Sequence, residues 1–402
     1  MKKIISVLLA MTMLLCTACG SVTGREEDVV NIYTGITGIE KDETMMTVGE
    51  IEIPASLFFY WVNAIASDAE RIYQQYSIYY PQYASMLNAD GTLNWNVNYS
   101  QTMTMGDVIE IQAMEKLAYL VIAESMAETN GIELSEENRA EINETIEKNL
   151  DDYAANLIEQ DEANAQLSRE EIESKYFYNL GIDREQVERL MAITYLNNAI
   201  IELMMTEGSS LYVEDEAYND LAFYADHILI ATVNLSTGLA LPTEEVEKKT
   251  ALAEEILLAL QESDDMETLF ANLADLHSED TGRAAYPTGY IFGEGEMVPE
   301  FENAVKELEV GELSGLVKST YGYHIILRRD LMKGLEENPE EKVALTETYL
   351  TTLINTIIAN SNVSTSEKLG EIDLSEVYST YMELSGQREA AKSSAKPEIS
   401  DK

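Results

Sequence analysis

The chain has 402 residues, 46% of them apolar, which is enough for two or three packed domains and too much for a disordered protein. Its 26 Lys and Arg face 73 Asp and Glu, and a formal charge of -47 argues against nucleic acid as a partner, because phosphates are bound by basic surfaces. Such acidity favours solubility and says nothing about the fold.

In chain order, residues 1–18 read as a signal peptide, with Lys2 and Lys3 followed by an apolar run from Ile4 to Leu15 and then small residues. The run is shorter than the roughly 20 apolar residues of a spanning helix. It ends in "CTAC", which resembles a bacterial lipoprotein lipobox with Cys19 as the lipidated residue and Cys16 at the usual Leu position. That resemblance implies a lipid-anchored protein on the extracytoplasmic face of the cell membrane. Both cysteines of the chain lie here, so the mature protein has no pair for an internal disulfide.

Residues 19–43 lack apolar periodicity and read as a tether. A short strand is expected around Val48 to Ile53 and a helix from near Pro54. Met105 to Glu128 is periodic and stops at "TNG", where Gly131 suits a left-handed cap. Leu134, Ile142, Ile146 and Leu150 share a helical face, Ser168 and Glu171 form a capping box, and Val187, Leu190, Met191 and Tyr195 make another stripe. Residues 44–220 are therefore a mostly helical domain. Its "SLFFYWVNAI" and "RIYQQYSIYYPQYASM" are either core, a contact in a homodimer, or an exposed surface for unfolded chains.

Composition changes from Phe223 to Asp330. "HILIA" and "YHIIL" are β-rich, "TEEVEKKTALAEEILLAL" is an amphipathic helix with Thr243 as its expected N-cap, and "ELSGLV" is a third strand candidate. The class is α+β, with a compact domain at 221–332 placed after the helical one. Residues 333–365 hold an apolar helix, Val343 to Ala359, too small to stand alone and expected to complete the helical domain. Residues 366–402 read as a partly disordered tail.

All three histidines of the chain, His227, His277 and His324, fall in this second domain. No two of them have a zinc-ligand spacing such as H-x-x-x-H, and no G-x-S-x-G elbow offers a serine nucleophile. His227 shares a strand face with Leu229, and His324 with Ile326, so the two imidazoles meet if the strands pair.

Residues 223–330 resemble the parvulin peptidyl-prolyl isomerases. The matching runs are "ADHILI", "LADLHSED", "FGEGEMVPEFENAVKELEVGELSGLV" and "YGYHIILRRD". With the helical segments and the lipobox, the architecture is similar to PrsA-type foldase lipoproteins, relatives of SurA-type periplasmic chaperones. The resemblance implies a small antiparallel sheet with surrounding helices, no cofactor and no metal. It implies isomerisation of X-Pro bonds in unfolded or partly folded exported polypeptides. Carried over by position, His227 and His324 face each other, Asp280 stands where the family has Asp or Cys, and Ser319 hydrogen-bonds the histidines. Met297 and Phe301 line the proline pocket. "RAAYPTGYIFGEG" departs from the family's "GGDLGWF", with Gly289 and Ile291 where an apolar residue and an aromatic are usual; Ile291 is taken as the wall residue. His277, where an aromatic is usual, implies a packing role. The loop "ATVNLSTGLALPTEE" has no Lys or Arg, against a requirement for phosphoserine before proline. A non-enzymatic holdase with a decayed isomerase domain is the competing reading.

Overall fold

The computed structural model describes residues 31–386. The signal peptide, Cys16, Cys19 and the last sixteen residues lie outside them. The described chain divides into two compact units, one comprising the residues up to Ile200 and those from Leu353 onward, the other Ile201–Thr352.

The first unit opens with a short helix α1 (Ile32–Thr37), capped by the Asn31 side chain. Ile32 and Tyr33 are buried, so this part of the expected tether is packed structure. Six residues are too few to show helical periodicity, and what orders them is contact with distant rings, Phe59 and Tyr381 beside Tyr33. The single strand expected at Val48 to Ile53 is a hairpin, β1 (Thr44–Val48) and β2 (Ile51–Pro54), because the chain turns at Gly49 and Glu50. Then come α2 (Ala55–Tyr79), α3 (Met105–Thr129), α4 (Glu136–Gln160), α5 (Arg169–Leu180) and α6 (Arg184–Met205). Of the expected stripes, Ile142, Ile146 and Leu150 on α4 and Val187 and Leu190 on α6 are buried, whereas Leu134 precedes α4 and, like Met191 and Tyr195, is half-buried. The capping box at Ser168 and Glu171 is formed, and Gly131 is left-handed at φ 67°.

In the second unit, α7 (Asp215–Asn219) leads into β3 (Ala222–Ala231), α8 (Thr243–Gln261), α9 (Met266–His277), β4 (Tyr290–Gly293), α10 (Pro299–Glu307), β5 (Val317–Lys318), β6 (Gly322–Arg329) and α11 (Leu331–Glu337). Pro242, not Thr243, caps α8, and no side chain bonds there: proline fixes the extended backbone and Thr243 becomes the first helical residue. The strands form one antiparallel sheet in the order β4-β3-β6-β5. Of "ELSGLV" only Val317 begins a strand; Leu313 makes a single bridge to Leu327, because the Ser314 hydroxyl takes up the Ile326 amide at 2.8 Å. The fourth strand, "YIFG", lies in the segment where the sequence departs from the family pattern.

The sheet has two buried faces. Ile228, Ile230, Ile325 and Leu327 pack under Ile256, Leu260 and Phe270 of α8 and α9. Ala225, Phe292 and Ile326 pack under Phe301 and Val305 of α10. Strand alternation therefore sends odd-numbered residues of β3 to the α10 face.

Helix α12 (Pro339–Asn360) is divided between the units, and the expected helix Val343 to Ala359 is its central part. Within the first unit, β7 (Val363–Thr365) pairs with β1 on the side away from β2. Helix α13 (Leu374–Leu384) follows, burying Val377, Tyr378, Tyr381 and Met382. The expected tail thus holds an ordered amphipathic helix, overlooked because its stripe is short and polar residues flank it. Among the described residues no helix is long and apolar enough to cross a membrane.

Gly289 is the point where β4 meets β3. Its φ is 110°, and a Cβ there would lie 2.4 Å from the Ala225 carbonyl oxygen. Gly289→Ala is expected to destabilise the second unit by about 2–4 kcal/mol, checked by urea midpoints.

Candidate functional site

β3 and β6 pair with His227 opposite Ile326 and Leu229 opposite His324. Directly opposed residues share a face, so both imidazoles stand on the α10 side. Their ring centroids are 5.2 Å apart and nearly perpendicular, at 83°. Phe301 of α10 closes the triangle edge-on, 5.1 Å from His227 and 5.5 Å from His324.

Each histidine has a polar neighbour supplied by a turn. The Ser319 hydroxyl lies 2.7 Å from His324 Nε2 and also accepts the Tyr321 amide, within a turn closed by the Ser319 amide donating to the Gly322 carbonyl. Asp280 is brought in by the chain after α9. There the Glu279 amide donates to the Leu229 carbonyl at 2.8 Å, and the Ser278 hydroxyl accepts from the Leu229 amide at 3.1 Å. Asp280 Oδ2 then lies 3.6 Å from His227 Nε2, beyond hydrogen-bond reach. Oδ1 accepts from the Gly282 amide at 3.1 Å, and Oδ2 from the Tyr290 hydroxyl at 2.5 Å.

Of the residues expected at the site, His227, His324, Asp280, Ser319 and Phe301 are brought together. Met297 is partly buried against the Phe301 cluster. Ile291 is not at the site. In β4, Tyr290 opposes Ala225 and Ile291 opposes Tyr224, so Tyr290 and Phe292 share the histidine face and Ile291 points to the other. The wall is Tyr290, whose ring stacks on His227 at 5.8 Å and 15°. Alternation counted back from Phe292 is the signal that would have found it. His277 ends α9 and makes no hydrogen bond or ring contact with either site histidine. Tyr286, 4.8 Å from Tyr290, extends the aromatic wall outward.

Burial sets the electrostatics. It pushes His324 down to about 4, helped by His227 and opposed by Asp280. Burial also lowers His227, against the pull of Asp280 and Asp226. Both imidazoles are neutral at pH 7. Tyr290 is raised, by burial first and then by its bond to Asp280, so it remains a donor. Among the described residues no three His, Cys, Asp or Glu are grouped to hold a metal. The arrangement is an aromatic corner with neutral hydrogen-bonding groups and one carboxylate. It suits chemistry that rotates a bond.

Residues 227–330 match the family described as Rotamase: PPIC-type PPIASE domain. The chain carries a PPIC-type rotamase domain. Over 222 residues it is 32% identical to the foldase protein PrsA of Halalkalibacterium halodurans, covering 50% of this chain and 60% of that protein. Over 107 residues it is 39% identical to the chaperone SurA of Chromohalobacter salexigens, covering 26% of this chain and 21% of that one. The chain thus spans less than two thirds of either relative. The crystal structure of a peptidylprolyl isomerase (PrsA) from Bacillus cereus is 22% identical over 72% of this chain and 99% of its own, with a TM-score of 0.27. The α+β class and small antiparallel sheet expected from the sequence are those observed.

In the rotamase domain, a depressed histidine binds its proton later than the unfolded chain does, whose histidine titrates near 6.5. The stability carried by a neutral His324 is whole above about pH 6.5 and is lost as pH falls toward about 4, on the order of 3 kcal/mol in all. His324→Gln lacks this dependence. The urea midpoint of the wild type is expected to fall relative to that variant over this window, and parallel curves would refute the assignment.

Proposed function

We propose that this chain is an extracytoplasmic, lipid-anchored foldase. Its rotamase domain interconverts cis and trans X-Pro bonds, and its helical unit holds unfolded or partly folded exported polypeptides. The observation that carries the reading is the His227 and His324 pair at 5.2 Å, with Ser319 on one ring, Asp280 beside the other and Phe301 across both.

Rotation about an X-Pro bond crosses a barrier of about 20 kcal/mol and takes tens of seconds unaided, without breaking a covalent bond. In the twisted amide the nitrogen and carbonyl lose conjugation. A water-poor pocket that favours this less polar form over either planar one lowers the barrier. Phe301 and Met297 hold the proline ring. The neutral imidazoles, oriented through Ser319 and Asp280, set the local field without a charge that would favour the planar, polar amide. This is differential binding and calls for no cofactor.

The helical unit supports a client-holding role through one exposed aromatic region. At the end of α2 and just beyond it, Ile78 and Tyr79 are 75% and 74% exposed, and Tyr76, Tyr80 and Tyr83 form a set of touching rings. Rings held against one another in water offer apolar area at small entropic cost. The surrounding acidity keeps such a surface soluble. The alternative, a holdase whose rotamase domain only binds, is favoured by the Tyr290 ring stacked where the family pattern has no aromatic.

A protease-coupled assay on a proline-containing peptide separates the two. The full chain is expected to accelerate cis to trans conversion, and His324→Ala to lower kcat/KM by about tenfold or more. A rate equal to background, unchanged by the substitution, would leave the holdase reading.

The anchor is tested separately: Cys19→Ser is expected to move the chain from the membrane fraction to the soluble one, and unchanged partition would exclude lipidation at Cys19.

A further inference from the structure

Tyr290 makes the shortest polar contact in the site, and its surroundings are shaped to admit it. Its hydroxyl donates to Asp280 Oδ2 at 2.5 Å, and its ring lies parallel to His227 at 15°. A Cβ on Gly282 would lie 2.0 Å from the phenol oxygen, so the turn after Asp280 has room for this hydroxyl only because residue 282 lacks a side chain. Among the described residues, neither buried ring nitrogen of His227 has a hydrogen-bond partner, although a carboxylate oxygen lies 3.6 Å from Nε2.

We propose that Tyr290 is a positioning residue of the rotamase site: its phenol holds the Asp280 carboxylate off His227 and leaves that imidazole unpaired. The inference rests on the proposed isomerase reading for its consequence, while the contact itself stands on geometry. A carboxylate in a partly buried site takes the donors within reach. Asp280 has two that are not His227, the Gly282 amide and the Tyr290 hydroxyl. Remove the hydroxyl, and the nearest free donor for Oδ2 is the His227 ring, a few tenths of an ångström beyond hydrogen-bond range. Closing that gap pairs the imidazole with a full negative charge and favours its protonation.

The other groups facing His227 do not substitute for Tyr290. His324, on β6, is neutral. Asp226, the preceding residue on β3, accepts from Arg283 at 2.9 Å and from the His227 backbone amide at 2.8 Å, so its carboxylate is committed away from the ring. Arg283, after α9, is held by Asp226 and Asp275. Phe301, from α10, carries no charge.

The test is the titration of the His227 side chain in the full-length protein, read from its ring nitrogens by NMR, with the pH profile of isomerase kcat/KM beside it. Tyr290→Phe keeps the ring and is expected to raise the His227 midpoint by about one unit, a tenfold change in proton affinity. Gly282→Ala displaces the phenol by contact instead of deleting it, and is expected to shift the midpoint the same way. In an Asp280→Asn background, Tyr290→Phe is expected to leave the midpoint unchanged, because its effect passes through the carboxylate. An unmoved midpoint in Tyr290→Phe, or an equal shift with and without Asp280, would overturn the proposal. Because the titration needs no turnover, absence of isomerase activity would count against the proposed function alone.

Discussion

The antiparallel pairing of β3 with β6 is the constraint on which the site depends. His227 opposite Ile326, and Leu229 opposite His324, put both rings on one face and about one ring's width apart. A slip of one residue would send one strand's histidine to the other face, since side chains alternate with period two. The slip is resisted from both sides. Ile228, Ile230, Ile325 and Leu327 would have to leave the packing under α8 and α9, while Ala225 and Ile326 would leave that under α10. A buried core on each face thus fixes the position of two polar rings.

Two carboxylates flank His227, and the fold treats them differently. Asp226 is 2% exposed and lies against Arg283 and, at 3.5 Å, Arg329, a charged contact that satisfies a buried acid. Asp280 is met by neutral donors, a backbone amide and a phenol. Arg283 and Arg329 are drawn to Asp226, while Arg328, on the α10 face, is turned to the Val305 carbonyl and the Phe223 ring. Burial keeps both histidines uncharged there. A rotating amide becomes less polar, so a site without a protonated imidazole is consistent with the proposed reaction.

The helical unit is organised by aromatic contact as much as by aliphatic stripes. Tyr33 sits between Phe59 and Tyr381, joining residues near both ends of the described chain. At the end of α2 the same residue type is turned outward, where Tyr76, Tyr80 and Tyr83 touch one another in solvent. The difference is what surrounds each ring. Tyr33 is enclosed by elements far away in sequence, whereas Tyr76 and Tyr80 have only their own local segment.

Much of the site was legible in the residues because its parts are local. "ADHILI" and "YGYHIIL" carry their strand periodicity within a few positions, and "EMVPEF" belongs to the run through which the resemblance to the parvulins implied Phe301. Long helices with capping boxes, such as α5 at Ser168, were legible for the same reason. Packed short segments were not: α1 and α13 owe their order to distant rings and show no periodicity long enough to count. The wall of the site lay between these cases. Its departure from the family pattern was visible, but the assignment to Ile291 in place of Tyr290 was off by one residue, and one residue in a strand reverses the face.

The sequence by itself determined the α+β class, the identity of the paired strands, the His227, His324, Asp280, Ser319 and Phe301 constellation, and the absence of metal-ligand spacing. The class, the strands and the spacing follow from residue type and local period, whereas the constellation is what the resemblance to the parvulins implied position by position. Only the tertiary structure decided which way β4 faces, that Tyr290 holds Asp280, that His227 lacks a partner, and that Ile32 and Tyr33 are core. Each of these depends on the approach of segments far apart in the chain, at distances where a few tenths of an ångström separate a hydrogen bond from none.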